Sequence, residues 1–419
     1  MSTKILKTDG ASYHNFALNI LEGTDSGETF WAPGLPVFLA AIYTVFGVKL
    51  WVVLLFNCFI STASVLILYK IAKSFFAVNV AIISSFLLAI DPHQVIYSQT
   101  LLTENVFIPL ILLFFLFYIR YMSNRKFLLL VVTAVFLGLS MYFRPVANYL
   151  FIFVAGAIIL QTQHSWFKKV SRVLWFVFFL VLTLSPWLIR NYKIHNHFGL
   201  TTNGGYNLLY IFAGSIYNNQ FQMHPDSTEK MLKRKMYESG GEQIKNPFVL
   251  DQNEKSVAFE LIKEEPVKFF QNYFSGCLNI YTSLSSYQIS SILGLEGSYV
   301  LSRNFYGVSQ LSQVDYFLEE RKTEVIIIST TVLIFLAFSY LLMILGMFKL
   351  IKDARYKEFI LMFGMIIYFT MIVGTLGSGA RFKLPISPFL FMFSAVGIVY
   401  VYDKWKGEKQ KKLVDNTKG

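Results

Sequence analysis

Residues 50–107 read LWVVLLFNCFISTASVLILYKIAKSFFAVNVAIISSFLLAIDPHQVIYSQTLLTENVF. As far as Ile90 the only charges are Lys70 and Lys73, which separate two apolar runs. Each run has about 20 residues, the length that crosses a bilayer as a helix. Asp91, His93 and Glu104 then interrupt the apolar sequence before it resumes. A carboxylate in or beside a span is expensive, so these positions are candidate functional groups from the outset.

The same pattern continues through the chain. Spans are read at residues 50–71, 78–97, 101–121, 127–142, 145–160, 173–189, 325–350, 359–376 and 384–402, about nine in all. Composition agrees, with 55% hydrophobic residues, 15% charged, 42 Phe and 24 Tyr. Soluble domains carry about 25% charged residues. The expected fold is an all-α polytopic membrane protein with an interfacial helix and a small, mainly helical external domain.

Charge orients it. Lys70 and Lys73 follow the first span, Arg120, Arg125 and Lys126 the third, and Lys168, Lys169 and Arg172 the fifth. Lys349, Lys352, Arg355 and Lys357 follow the seventh, and the tail DKWKGEKQKK the last. These loops share one side, which the positive-inside bias makes cytoplasmic. The net charge of +12 is therefore a topological signal, and no nucleic-acid partner is expected. The organisation expected is a first external loop and interfacial helix (1–49), six spans (50–189), an external domain (190–323), three spans (324–402) and a basic cytoplasmic tail (403–419). Residues 1–7 contain neither a signal peptide nor a span. Either the following span translocates this short tail or a further helix lies upstream, and the second is favoured. Cys58 and Cys277 show no sign of pairing.

The external segment NEKSVAFELIKEEPVKFFQNYFSGCLNIYTSL, residues 253–284, has apolar residues at helical spacing at Val257, Leu261, Val267, Phe270, Phe274 and Leu278. Pro266 breaks it into two helices. This domain is expected to rest on the membrane face.

Polar groups gather at the outer ends of the spans. Asp9 precedes a helix with an apolar stripe of Tyr13, Phe16, Ala17, Ile20 and Leu21 that Gly23 ends. It reads either as a helix cap or as a carboxylate at the membrane surface able to take a proton from a hydroxyl. Glu104 reads either as a helix-start acid after Thr103 or as a second functional acid. Arg144 in YFRPVANY, Arg190 in SPWLIRNYKIHNHFG and Arg381 in GSGARFKLPISP either snorkel to headgroups or grip a phosphate through two oxygens. Tyr13, His14, Asp91, His93, Asn203 and Asn207 are candidate substrate contacts. His195 and His197 make only a weak metal signal, and no metal ligand or cofactor is assigned, a divalent ion being left open. GxxxxGK[ST], GxGxxG and GxSxG are all missing. An external site without nucleotide needs a substrate activated elsewhere, and a lipid-linked phosphate meets that need.

These motifs resemble the GT-C class of integral-membrane glycosyltransferases, nearest the bacterial branch related to protein O-mannosyltransferases and lipid A aminoarabinose transferases. TDGASYHNFALNILEG (8–23) resembles the acid-bearing first external loop of that class, and APGLPVFLAAIYTVFG (32–47) its Pro-rich interfacial jaw helix. YSQTLLTENVF (97–107) is similar to its second acidic site and ARFKLPISPFL (380–390) to the start of a late span. SPWLIRNYKIHNHFGLTTNGGYNLLY (185–210) resembles the lead into its external domain. The resemblance implies a polyprenyl-phosphate sugar donor, membrane lipids as surroundings and an envelope glycan, lipid or protein as acceptor. It implies a multi-pass plasma-membrane location with an extracytoplasmic active site. It makes Asp9 the general base or acceptor positioner, Glu104 the second acid, and Arg381, Arg144 and Arg190 the phosphate contacts. Two positions depart from the pattern: Gly10 stands where many relatives have a second acid, and WAPG replaces a Lys-Pro-Pro. From other classes, a transporter or flippase of lipid-linked sugars would carry ionisable residues at span centres, and a non-catalytic envelope scaffold would be indifferent to Asp9 and Glu104.

Overall fold

The computed structural model describes residues 9–24, 27–160, 165–220, 223, 225–238, 244–294, 323–374 and 379–416. The sequence readings for residues 1–7, 295–322 and 375–376 fall outside them. Among the described residues all regular structure is helical. In chain order come α1 (Asp9–Leu21), α2 (Gly34–Phe46), α3 (Leu50–Phe75), α4 (Val78–Ala89), α5 (Pro92–Ser98), α6 (Glu104–Asn124) and α7 (Phe127–Phe143). A 3₁₀ turn (Pro145–Ala147), α8 (Leu150–Ile159) and the long α9 (Trp166–His195) follow. Between α9 and the next long helix lie α10 (Asn203–Tyr206), a π-helical turn (Asn207–Ala213), α11 (Gly214–Gln220), α12 (Pro225–Glu238), α13 (Pro247–Glu264), α14 (Pro266–Thr282) and α15 (Ser286–Leu293). Last come α16 (Thr323–Lys352), α17 (Tyr356–Val373), a 3₁₀ turn (Ala380–Lys383) and α18 (Ser387–Asn416).

α3, α6, α9, α16 and α17 are long and apolar enough to cross a membrane; α4 and α5, bent by 48° at their break, make a sixth if taken together. Length and composition thus support five or six crossings among the described residues, fewer than the nine spans expected. The difference has local causes. Residues 145–160 open with a 3₁₀ turn at Pro145, and α8 keeps only 10 residues, about 15 Å of helix. α7 has 17 residues, and α18 runs through the basic tail to Asn416.

α6 is the axis of the bundle. In its apolar window 67% of residues are buried, against 17% for α9, whose other faces point outward. Phe107, Ile108, Ile111, Leu112 and Phe115 fill the centre. The bundle can therefore bring the first residue of α6, Glu104, to its own middle. The π-helical turn, α12 and α13 have a separate core of Leu209, Tyr210, Ala213, Leu232, Met236, Ala258 and Leu261. The first loop is tied to them: Thr202 donates its backbone N–H to Thr29 O (2.9 Å), and His195 Nε2 lies 2.9 Å from Gly27 O.

Candidate functional site

Breaks in the helices build the site. The peptide run between α5 and α6 is irregular, and two asparagines satisfy its carbonyls. Asn57 Nδ2 donates to Thr100 O (3.0 Å), and Asn105 Nδ2 donates to Tyr97 O and Thr100 O (both 3.1 Å). That arrangement starts α6 at Glu104, completely buried. Arg144 ends α7 because Pro145 follows it; the residue before a proline is pushed into extended backbone, and Arg144 has φ −145° and ψ 117°. Gly34 lets the start of α2 cross this end of α7: a Cβ there would stand 2.7 Å from Tyr142 O. Arg381 lies in the 3₁₀ turn Ala380–Lys383, and Pro385 stands between that turn and α18.

These breaks converge. Arg381 Nη1 meets Asp9 Oδ2 at 2.6 Å across 372 residues of sequence. Its Nε donates to Glu104 Oε1, and Arg144 Nη1 donates to the same oxygen. Two guanidiniums and two carboxylates thus form one chain: Asp9, Arg381, Glu104, Arg144. Phe382 and Phe107 flank it, with the Arg144 guanidinium 5.3 Å and 5.9 Å from their ring centres. Burial opposes the charge on Arg381, but the Glu104 and Asp9 carboxylates outweigh it and hold the guanidinium above its ordinary pKa. Tyr13, one turn along α1 from Asp9, is buried beside this cluster, and burial pushes its phenol up. The Asp9 side chain keeps 31% of its exposure while Glu104 keeps none. Of the two acids, Asp9 is the one open to an incoming molecule.

Other expected site residues lie apart from this chain of charges. Arg190 Nη1 donates to Glu28 O and to Asn191 Oδ1 (both 2.8 Å), and its guanidinium sits 4.3 Å from the Trp187 ring centre. Through Glu28 it pins the first loop. His14 Nδ1 lies 2.9 Å from Tyr43 Oη, and burial lowers its pKa. Asn203 accepts from Thr201 Oγ1 (3.1 Å) and Asn207 opens the π-helical turn. Among the described residues no hydrogen bond or ion pair joins either to the cluster. His195 and His197 pack against Phe248. Among the described residues no group of three or more His, Cys, Asp or Glu lies together as metal ligands would.

Asp91 caps α5 through His93 N–H (3.1 Å), and both side chains are fully buried. Sequence reasoning missed their neighbour Lys383, which is 1% exposed and donates from Nζ to His93 Nδ1 at 2.9 Å. The available signal was its spacing, two residues beyond Arg381 at the edge of an apolar run. Also missed was the aromatic path from the site to α10: Tyr13 to Trp31 (4.9 Å), Trp31 to Phe30 (5.0 Å) and Phe30 to Tyr206 (5.4 Å).

Residues 31–189 match the dolichyl-phosphate-mannose-protein mannosyltransferase family. That segment contains Glu104 and Arg144, and over it the resemblance to GT-C class membrane glycosyltransferases has family-level support. No curated protein matches the sequence. Among solved structures the chain is similar to ArnT from Cupriavidus metallidurans bound to undecaprenyl phosphate. The identity is 12% and the TM-score 0.39, over 93% of this chain and 73% of that one. It is also similar to the Archaeoglobus fulgidus oligosaccharyltransferase in its apo form, at 13% identity and a TM-score of 0.45. That similarity covers 98% of this chain and 48% of the other, so the chain spans about half the length of the oligosaccharyltransferase.

Proposed function

We propose that this protein is a membrane glycosyltransferase that moves a sugar from a polyprenyl-phosphate donor to a hydroxyl of a cell-envelope acceptor, on the extracytoplasmic face and with inversion. One observation carries the reading: Asp9, Arg381, Glu104 and Arg144, remote in sequence, form a single chain of charge at the broken ends of apolar helices. The match of residues 31–189 to a mannosyltransferase family supports the same class of chemistry.

The roles follow from exposure and charge. Donor phosphate entering at Arg381 competes with Asp9 for the guanidinium. Asp9, released, accepts the proton of the acceptor hydroxyl. The acceptor oxygen then attacks the anomeric carbon from the face opposite the phosphate. The bond from that carbon to the phosphate oxygen breaks, and its electron pair leaves with the phosphate. Arg381 and Arg144 stabilise the negative charge that develops there; one well-placed donor of this kind is worth about 2.7–4 kcal/mol. Glu104 is sealed from solvent, so its part is to aim the two arginines.

The test is release of polyprenyl phosphate by purified protein in lipid, given a panel of polyprenyl-phosphate sugars and envelope acceptors. Asp9→Asn should lower turnover by about 10²–10⁴-fold and lower the melting temperature far less than Glu104→Gln, because the Asp9–Arg381 pair is part-exposed. Glu104→Gln should lower both, because an unbalanced buried charge costs about 3–5 kcal/mol. Turnover that survives Asp9→Asn would remove Asp9 from the chemistry. Failure to consume any donor would overturn the transferase reading.

A further inference from the structure

We infer that Lys383, His93 and Asp91 form a positioning cluster that holds the Arg381 turn against the Asp9–Glu104 pair. The inference rests on the reading of Arg381 as a phosphate contact, and it extends that reading to residues that never touch substrate.

Arg381 and Lys383 share the 3₁₀ turn Ala380–Lys383. Successive residues of a 3₁₀ helix are about 120° apart, so these two side chains leave the turn in different directions. Arg381 reaches Asp9 and Glu104. Lys383 reaches the break between α4 and α5, where its Nζ donates to His93 Nδ1 at 2.9 Å. An ammonium only donates, so His93 Nδ1 must be the accepting nitrogen, and the ring proton sits on Nε2. Asp91 Oδ1 stands 3.8 Å from the same Nδ1 and provides the counter-charge to Lys383. The Lys383 ammonium also lies 5.9 Å from the ring centre of Tyr340 on α16. Tyr340 Oη in turn donates to Tyr281 O on α14 (2.7 Å), and Tyr281 Oη lies 2.5 Å from Thr370 Oγ1 on α17. One turn is therefore fastened on both sides, by Arg381 toward the first loop and α6, and by Lys383 toward α5 and α16.

A well-packed apolar core would fasten the turn as firmly without burying a lysine. Here the three side chains are 0–1% exposed, and beyond Lys383 the groups facing Asp91 and His93 are the Ser387 hydroxyl and the Ser283 backbone. Burial pulls the Lys383 pKa down to about 8, against the attraction of Asp91. A group retained at such cost sets direction: the ammonium has one set of partners, and they fix the register of the turn.

The cluster is tested with Lys383→Met, Asp91→Asn and the double variant of the full-length protein in lipid nanodiscs. Hydrogen–deuterium exchange at residues 380–386, melting temperature and donor turnover are read together. Removing one member of a buried charge pair destabilises strongly, while removing both is far milder. The double variant should therefore recover most of the melting temperature lost in either single one. It should not recover the turn: exchange at 380–386 should stay at least about 10-fold faster than in the unsubstituted protein, and turnover about 10²-fold lower, the loss that a misplacement of about 1 Å produces. If turnover and exchange return together with stability, the cluster is only packing and the inference fails. It fails equally if Lys383→Met leaves exchange at 380–386 unchanged. If the unsubstituted protein consumes no donor, the transferase reading falls, and exchange alone still decides whether the cluster holds the turn.

Discussion

Glu104 and Asp9 are both carboxylates on Arg381, and burial divides their work. Glu104 gives one oxygen to two guanidiniums in a place water does not reach, whereas Asp9 stands at the start of a short helix with a third of its side chain open. A sequence shows two acids; it does not show which one a hydroxyl can approach. A third carboxylate, Glu254 on α13, lies outside this cluster. Burial, then the neighbouring Asp251, raise its pKa from 4.5 to about 7. Between about pH 4.5 and 7 the folded chain keeps a proton that the unfolded chain has released, so stability falls as pH rises through that window. Above it both states are ionised and the penalty is constant. Glu254→Gln removes the penalty. Its melting temperature should exceed that of the unsubstituted protein at pH 8, with the gap closing toward pH 5. Parallel melting curves across that range would show that Glu254 sits in an ordinary environment.

At the scale of elements, α14 shows what periodicity can and cannot say. Val267, Phe270, Phe274 and Leu278 were expected from their spacing to lie on one helical face, and they do. That face is not packed inward: the four side chains are 68%, 54%, 57% and 68% exposed. The opposite face carries Asn272, Gly276, Cys277 and Ile280 into the protein, with Cys277 Sγ against Thr370 O of α17 (3.8 Å) and Tyr273 Oη donating to Met371 O. α17 is a candidate span whose Ile360, Ile367 and Met371 are also exposed, so α14 packs against a bundle helix while its own apolar stripe stays bare. Lipid is the covering such a surface fits. A nitroxide on Phe274→Cys, in a Cys58→Ser background, should collide more often with oxygen than with a water-soluble nickel chelate. The reverse order would place α14 in water. Breaks were harder to read than faces. Asp91-Pro92, Thr103-Glu104 and Arg144-Pro145 are visible as polar interruptions, but a hydropathy window cannot tell a loop outside the membrane from a bend within a span. The 48° bend after α4 and the 10-residue α8 were therefore read as ordinary crossings.

For the molecule as a whole, class was legible because composition and loop charge are properties of the entire chain, while the pairing of charges was not. Nothing in GSGARFKLPISP says that Arg381 closes on Asp9, 372 residues away, or that Lys383 turns the other way. Arg190 looked equivalent to Arg144 in sequence, both lying at the end of an apolar run, yet it fastens Glu28. Those outcomes depend on how the long helices cross. One close crossing is between α16 and α18, where Gly346 faces the Phe393 carbonyl and Gly397 faces the Leu342 carbonyl. A Cβ at either glycine would fall well inside contact distance of backbone, which cannot move aside as a flexible side chain does. Small residues at helix crossings let backbones approach in this way. The approach matters for the site because α18 follows directly from the Arg381 turn, and α16 carries Tyr340 beneath Lys383. Gly346→Leu should force the two helices apart, lowering the melting temperature and carrying Arg381 away from Glu104, so that donor turnover falls with stability. Gly364 on α17 supplies the control, since a Cβ there meets nothing within 4 Å. Gly364→Leu adds similar bulk to a membrane helix and should leave both measurements unchanged. Equal losses at the two positions would mean that glycine content itself, rather than the α16–α18 crossing, governs stability.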